Sequence, residues 1–79
     1  MSMSKARKYG RRHRVLEAVN NAEELDRVAK RLLEQLARTS IAKEELATLK
    51  ANLQKHTDTK RKRDAVWAVV DALEKEEAR

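Results

Sequence analysis

Apolar residues recur at helical spacing through most of this chain. Leu25, Val28, Ala29, Leu32, Leu33 and Leu36 follow the i, i+3, i+4, i+7 pattern, which places them on one face of an α-helix. The spacing predicts a helix over about 22–38. Asn21 precedes it, with Glu24 three positions on, an arrangement that resembles a capping box. Asn20 with Glu23 reads nearly as well. Upstream, Val15, Leu16 and Val19 share one face of a shorter helix over 11–19. If Asn20-Asn21 is only a kink, the two merge into one helix over 11–38.

The second half repeats the logic. Thr39-Ser40 is a cap signal, and Ser40 is expected to start a helix running from Ile41 to about His56. Its stripe is Ala42, Leu46, Leu49 and Leu53, and Glu44 and Glu45 fall in the first turn, where the helix dipole favours anions. Thr57-Asp58-Thr59 marks the last start. The final helix is predicted from Thr59 to Glu76, with Ala65, Val66, Val69, Val70 and Leu73 inward. Trp67 flanks that face and reads as a core residue ahead of a ligand platform. The closing Glu-Lys-Glu-Glu-Ala-Arg reads as a solvated helix end that frays. Connections of two to three residues force neighbouring helices into bundle packing.

Composition narrows this to one reading of the fold. There is no proline, Gly10 is the single glycine, and aromatics are 3% of the 79 residues. Strands would have no turns to join them. The expected fold is therefore all-α: a compact bundle of three to four short helices over 11–79, behind a disordered basic arm at 1–10. With no cysteine, neither a disulfide framework nor a thiolate metal site is available. No apolar run approaches the ~20 residues that span a bilayer, and no apolar segment follows the basic N-terminus as in a secretory signal.

Charge is distributed unevenly. Lys5, Arg7, Lys8, Arg11, Arg12 and Arg14 give the first fourteen residues six cations and no acid, while the remaining 65 hold 13 cations and 13 acids. A second cluster, Lys60-Arg61-Lys62-Arg63, lies at the start of the last helix. Cations there oppose the helix dipole, and Asp58 and Asp64 offset only part of that cost. The run reads either as a solvated face or as half of a phosphate-binding footprint. It also suits a nuclear localisation signal.

Candidate chemistry is sparse. His13 and His56 are the only histidines, and no pair of ligands has metal-binding spacing. Glu23-Glu24, Glu44-Glu45 and Glu76-Glu77 are adjacent in sequence, so on a helix they do not share a face. No phosphate loop or nucleophile motif is present. No catalytic, cofactor or metal site is expected, and the chain reads as a non-enzyme. His56 reads as a helix-end residue that interacts with the last carbonyls.

From Leu32 onward the order of features resembles the N-terminal, LW-type helical domain of transcription elongation factor S-II. The family's Leu-Leu-x-x-Leu falls on Leu32, Leu33 and Leu36, and its Ile helix start on Ile41 after Ser40. Leu46 follows, then Leu53-Gln54-Lys55-His56 with Asp58, then Ala65 or Val66 and Val69 or Val70 in the last helix. The match covers about 45 of the 79 residues. The family's Thr-x-Ile-Gly segment is missing, and its Trp position falls on Leu73 rather than Trp67. The resemblance implies a nuclear scaffold for transcription elongation that binds short disordered peptide motifs. Its surface would centre on Leu53, Lys55 and His56 with Arg61 and Arg63, and the neighbouring Lys60 and Lys62 complete the basic turn.

The leading expectation is thus an intracellular, nuclear protein-interaction module, with disordered peptide segments of other proteins as partners. The alternative is DNA or RNA binding through Lys5, Arg7, Lys8, Arg11, Arg12 and Arg14 together with Lys60–Arg63. A third reading buries the stripe from Leu25 to Leu36 against another copy, although that stripe is short for a coiled coil. Neither a membrane nor a small-molecule substrate is expected as a partner.

Overall fold

A computed structural model describes the backbone of residues 2–18 and 20–78, and the side chains of residues 10–18 and 20–78. Among the described residues there are four helices and no strand: α1 (Ser2–Ala18), α2 (Ala22–Ala37), α3 (Lys43–Lys55) and α4 (Thr59–Glu77). The all-α bundle expected from the sequence is the observed fold.

The boundaries show which local signals carried. A turn at Asn20 separates α1 from α2, so the single helix over 11–38 is excluded. Asn21 caps α2: its side-chain oxygen accepts from the Glu23 and Glu24 amides at 3.0 and 3.2 Å. The box is not closed, because the Asn21 amide donates to the Ala18 carbonyl and the Glu24 carboxylate turns to Arg27. Asp58 caps α4 by accepting from the Arg61 amide at 3.3 Å. Ser40 does not cap α3. That helix begins two residues later than expected, after Ala42, with no side-chain cap. Thr39 takes the local hydrogen bonds instead, donating to the Leu36 carbonyl at 2.6 Å and accepting from the Ile41 amide at 3.3 Å. A threonine hydroxyl that satisfies the end of one helix is lost to the start of the next.

α1 begins at Ser2 rather than near Arg11. The side chains of residues 1–9 lie outside the described residues, and the division into arm and bundle at residue 10 stands as an expectation. Val19, assigned to the core face, also lies outside. Of its partners, Val15 is fully buried, whereas Leu16 is 58% exposed. Leu16 is one residue from Val15, about 100° around the helix, and residues 10–18 meet the body along a narrow line.

α2 and α4 form the central pair. α1 and α3 each touch both, and among the described residues they do not touch each other. Leu25, Ala29, Leu32 and Leu36 of α2 interlock with Ala65, Val66, Val69, Val70 and Leu73 of α4 in one buried cluster. α1 adds Val15 and Ala18. Leu53 is the only residue of α3 in the buried set, with Leu46 and Leu49 packed at its edge. Leu33 and Val28 are half-buried flanks of the α2 stripe, and Trp67 packs against the core from α4.

Candidate interaction surface

The N-terminal cations divide into two kinds. Arg11 lies across the end of α4 and grips Glu77 with both guanidinium nitrogens, at 3.0 and 2.6 Å. Its side chain is 6% exposed. Arg12 grips Glu74 in the same way, donating through Nε and Nη2 at 2.7 Å each. The Glu74 carboxylate, by hydrogen bonding first and by its charge second, raises the Arg12 guanidinium above its ordinary value. Such two-pronged pairs fix direction as well as charge. They pin α1 to α4 beside Val15 and Ala18, the buried apolar side chains of α1 among the described residues. In the closing acidic segment Lys75, Glu77 and Ala78 are exposed, as expected of a solvated end, while Glu74 is half-buried against Arg12. Glu77 and Glu74 are held there by Arg11 and Arg12, and Ala78 donates its amide to the Glu74 carbonyl.

Arg14 lies beyond this clamp. It lines a groove of about 1020 Å³ between α1 and α2, closed at one end by the tip of α4. Ala18, Leu32 and Leu73 lie at the bottom with half-buried Val28 above them. The rim carries five arginines, at 11, 14, 27, 31 and 38, and three glutamates, at 17, 24 and 77. Two of the acids have an arginine beside them, Arg27 for Glu24 at 2.7 Å and Arg11 for Glu77, and the His13 ring stands 3.4 Å from Glu17. Among the described residues Arg14, Arg31 and Arg38 have no acidic partner. The groove therefore has an apolar floor beneath an unmatched arginine rim.

The surface expected at the junction of α3 and α4 is less coherent. Leu53 is buried, with 7% exposure, so it is a core residue and not a docking contact. It is the one fully buried side chain that α3 packs against the α2–α4 pair, with Leu46 and Leu49 beside it. Lys62 turns inward and pairs with Asp26 of α2 at 3.0 Å, its side chain 11% exposed. The four-cation run is thus not one patch. Lys60 and Arg61 remain exposed, and Arg63 is half-buried. His56 closes α3 in extended backbone, and its ring makes no hydrogen bond to the last carbonyls among the described residues. Leu53, His56 and Lys62 do share a second groove of about 660 Å³ with Leu33, Lys30 and Lys50, while Lys55, Lys60, Arg61 and Arg63 stand outside it. Asp26 and Glu34 bring that groove close to charge balance.

Of the alternative set, Lys5, Arg7 and Lys8 have side chains outside the described residues. Arg11 and Arg12 are committed to Glu77 and Glu74. Only Arg14 is open. The rim of the first groove was missed in sequence because Arg27, Arg31 and Arg38 are scattered among acids along α2. Their spacing of four and seven residues was the available signal, since such residues share a helix face.

Among the described residues no group of three His, Asp or Glu side chains could hold a metal ion, and no helix is long and apolar enough to cross a membrane. Among the described residues the geometry defines a helical body that carries a basic groove lined by α1 and α2 and a nearly charge-balanced one lined by α2, α3 and the start of α4. No family model, no curated protein and no solved structure matches the chain.

Proposed function

We propose that this chain is a non-enzymatic interaction module that binds a disordered protein segment carrying acidic residues beside an aliphatic anchor. The supporting observation is the α1–α2 groove, in which Arg14, Arg31 and Arg38 stand unmatched around Val28 and Leu32. Arginine suits carboxylates because its planar fork meets them with two parallel hydrogen bonds. The apolar floor suits an aliphatic side chain and gives a phosphate backbone nothing. The resemblance to the elongation-factor domain implies the same class of ligand, although it placed the seat at the α3–α4 junction.

The test is an NMR titration of the full chain with an acidic, leucine-containing peptide and, separately, with generic duplex and single-stranded DNA, at 50 mM and 500 mM salt. The peptide should shift the amides of Val28, Leu32 and Arg31, and charge reversal at Arg31 and Arg38 should abolish the shifts while sparing the fold. DNA binding tighter than the peptide, with shifts centred on Lys60–Arg63, would overturn the proposal in favour of a nucleic-acid module.

A further inference from the structure

Arg31 lies on α2, and Arg38, seven residues on, is its C-cap in αR backbone, so helical spacing still holds between them. At 1.5 Å per residue they stand about 10.5 Å apart along the axis, and seven steps of 100° return to within about 20° of the same line. Leu32 lies beside the first arginine and Gln35 midway, both lining the same groove. A ligand that satisfies both arginines must therefore present two anions about 10 Å apart on one face, with its apolar contact between them.

An extended peptide does this poorly. Its side chains alternate faces, so same-face anions fall about 6.7 or 13 Å apart. A helix does it directly, because residues n and n+7 share a face at the spacing of the two arginines, with n+3 and n+4 between them. Resting on the function proposed above, we infer that the partner segment docks as an amphipathic helix alongside α2. It carries acids at n and n+7 that pair with Arg31 and Arg38, and aliphatic residues at n+3 and n+4 that seat over Leu32 and the stem of Gln35, which lie between the two arginines. Arg14 completes the rim from the α1 wall. Arg27 and Arg11 contribute less, because Glu24 and Glu77 already hold them. A single phosphate or small dicarboxylate is excluded as the natural ligand, since it would span only one arginine.

Three peptides of equal charge test this against the full chain by calorimetry at 50 mM salt. The first has glutamates at n and n+7 and leucines at n+3 and n+4. The second moves the later glutamate to n+5. The third keeps the first pattern but carries proline at n+2, which breaks the helix. The first should bind roughly three- to fivefold tighter than the second, which loses one rim ion pair, and at least tenfold tighter than the third. Arg31→Gln and Arg38→Gln should each weaken it roughly three- to fivefold, as expected for rim ion pairs, and weaken the shifted peptide less. Equal binding of the first and third would overturn the helical ligand, and equal binding of the first and second would overturn the register. In both cases acidic-peptide binding itself would survive. No binding by any of the three overturns both proposals.

Discussion

Removing Glu77 should destabilise the protein more than removing the arginine it pairs with. In the native state the Arg11 side chain is 6% exposed and Glu77 39% exposed. With Glu77→Ala, the guanidinium keeps its buried position and loses the carboxylate that compensates it. Breaking a fully buried ion pair in this way costs about 3–5 kcal/mol. Water reaches the outer edge of this pair through Glu77, so we expect about 1.5–3 kcal/mol. With Arg11→Met, the aliphatic stem contacts survive and the abandoned carboxylate is the wetter partner, so the loss should be about 0.5–1.5 kcal/mol. The double variant has no stranded charge and should be no less stable than Glu77→Ala alone. Urea titration followed by circular dichroism reads these differences directly. In thermal melts, 1 kcal/mol moves a domain of this size by roughly 4–8 °C. The ordering should persist in 1 M salt, where the Debye length is about 3 Å, because the Arg11 end is shielded from solvent ions. If Arg11→Met costs more than Glu77→Ala, or if neither variant differs from the parent by more than about 0.5 kcal/mol, the clamp does not hold α1 in the way its geometry implies.

Val15→Ala should cost about 1–3 kcal/mol in urea titration, whereas Leu16→Ala, one residue away on the exposed side of α1, should stay within about 0.5 kcal/mol. Gly10→Ala should raise stability by about 0.5–1 kcal/mol, because a Cβ there meets nothing within 4 Å and α1 runs through it; an unchanged or lower melting temperature would contradict helix at that position. Asn21→Ala should cost about 0.5–2 kcal/mol by loss of the α2 cap, while Ser40→Ala should be silent, and the reverse order would restore Ser40 as the cap of α3.

The stripes were legible wherever packing and pattern agree. All five inward positions assigned to α4, and the four central ones of α2, are buried. A 3.6-residue period over four turns leaves one way to face a partner helix. The errors cluster where one turn decides the outcome. Val15 and Leu16 are both large and aliphatic, and only the line of contact with α2 and α4 tells them apart. Ser40 has the better cap identity, but Thr39 sits three residues after Leu36 and closes the end of α2 first. Leu53 is one aliphatic among several on α3, and its role as the anchor of that helix depends on where α3 crosses the central pair. The charge pairs were least legible of all: Arg11 and Glu77 are 66 positions apart, and nothing local connects them.

That long pairing also changes what the uneven charge of the sequence means. A basic stretch ahead of a neutral body suggests an appended arm, free to meet a polyanion. Two of those cations instead act as fasteners, and they select the acidic end of α4 as their counterpart. Among the described residues α1 brings only Val15 and Ala18 to the core, and the two ion pairs add to that small apolar contact. The consequence runs on to the groove, since α1 is one of its walls and Arg11 and Glu77 both line it. Any change that frees α1 from α4 therefore also dismantles the Arg14 side of the rim. Arg31 and Arg38 remain on α2, which the central core holds regardless. Binding and stability should thus separate by helix: clamp variants should weaken both together, whereas Arg31 and Arg38 variants should weaken binding alone.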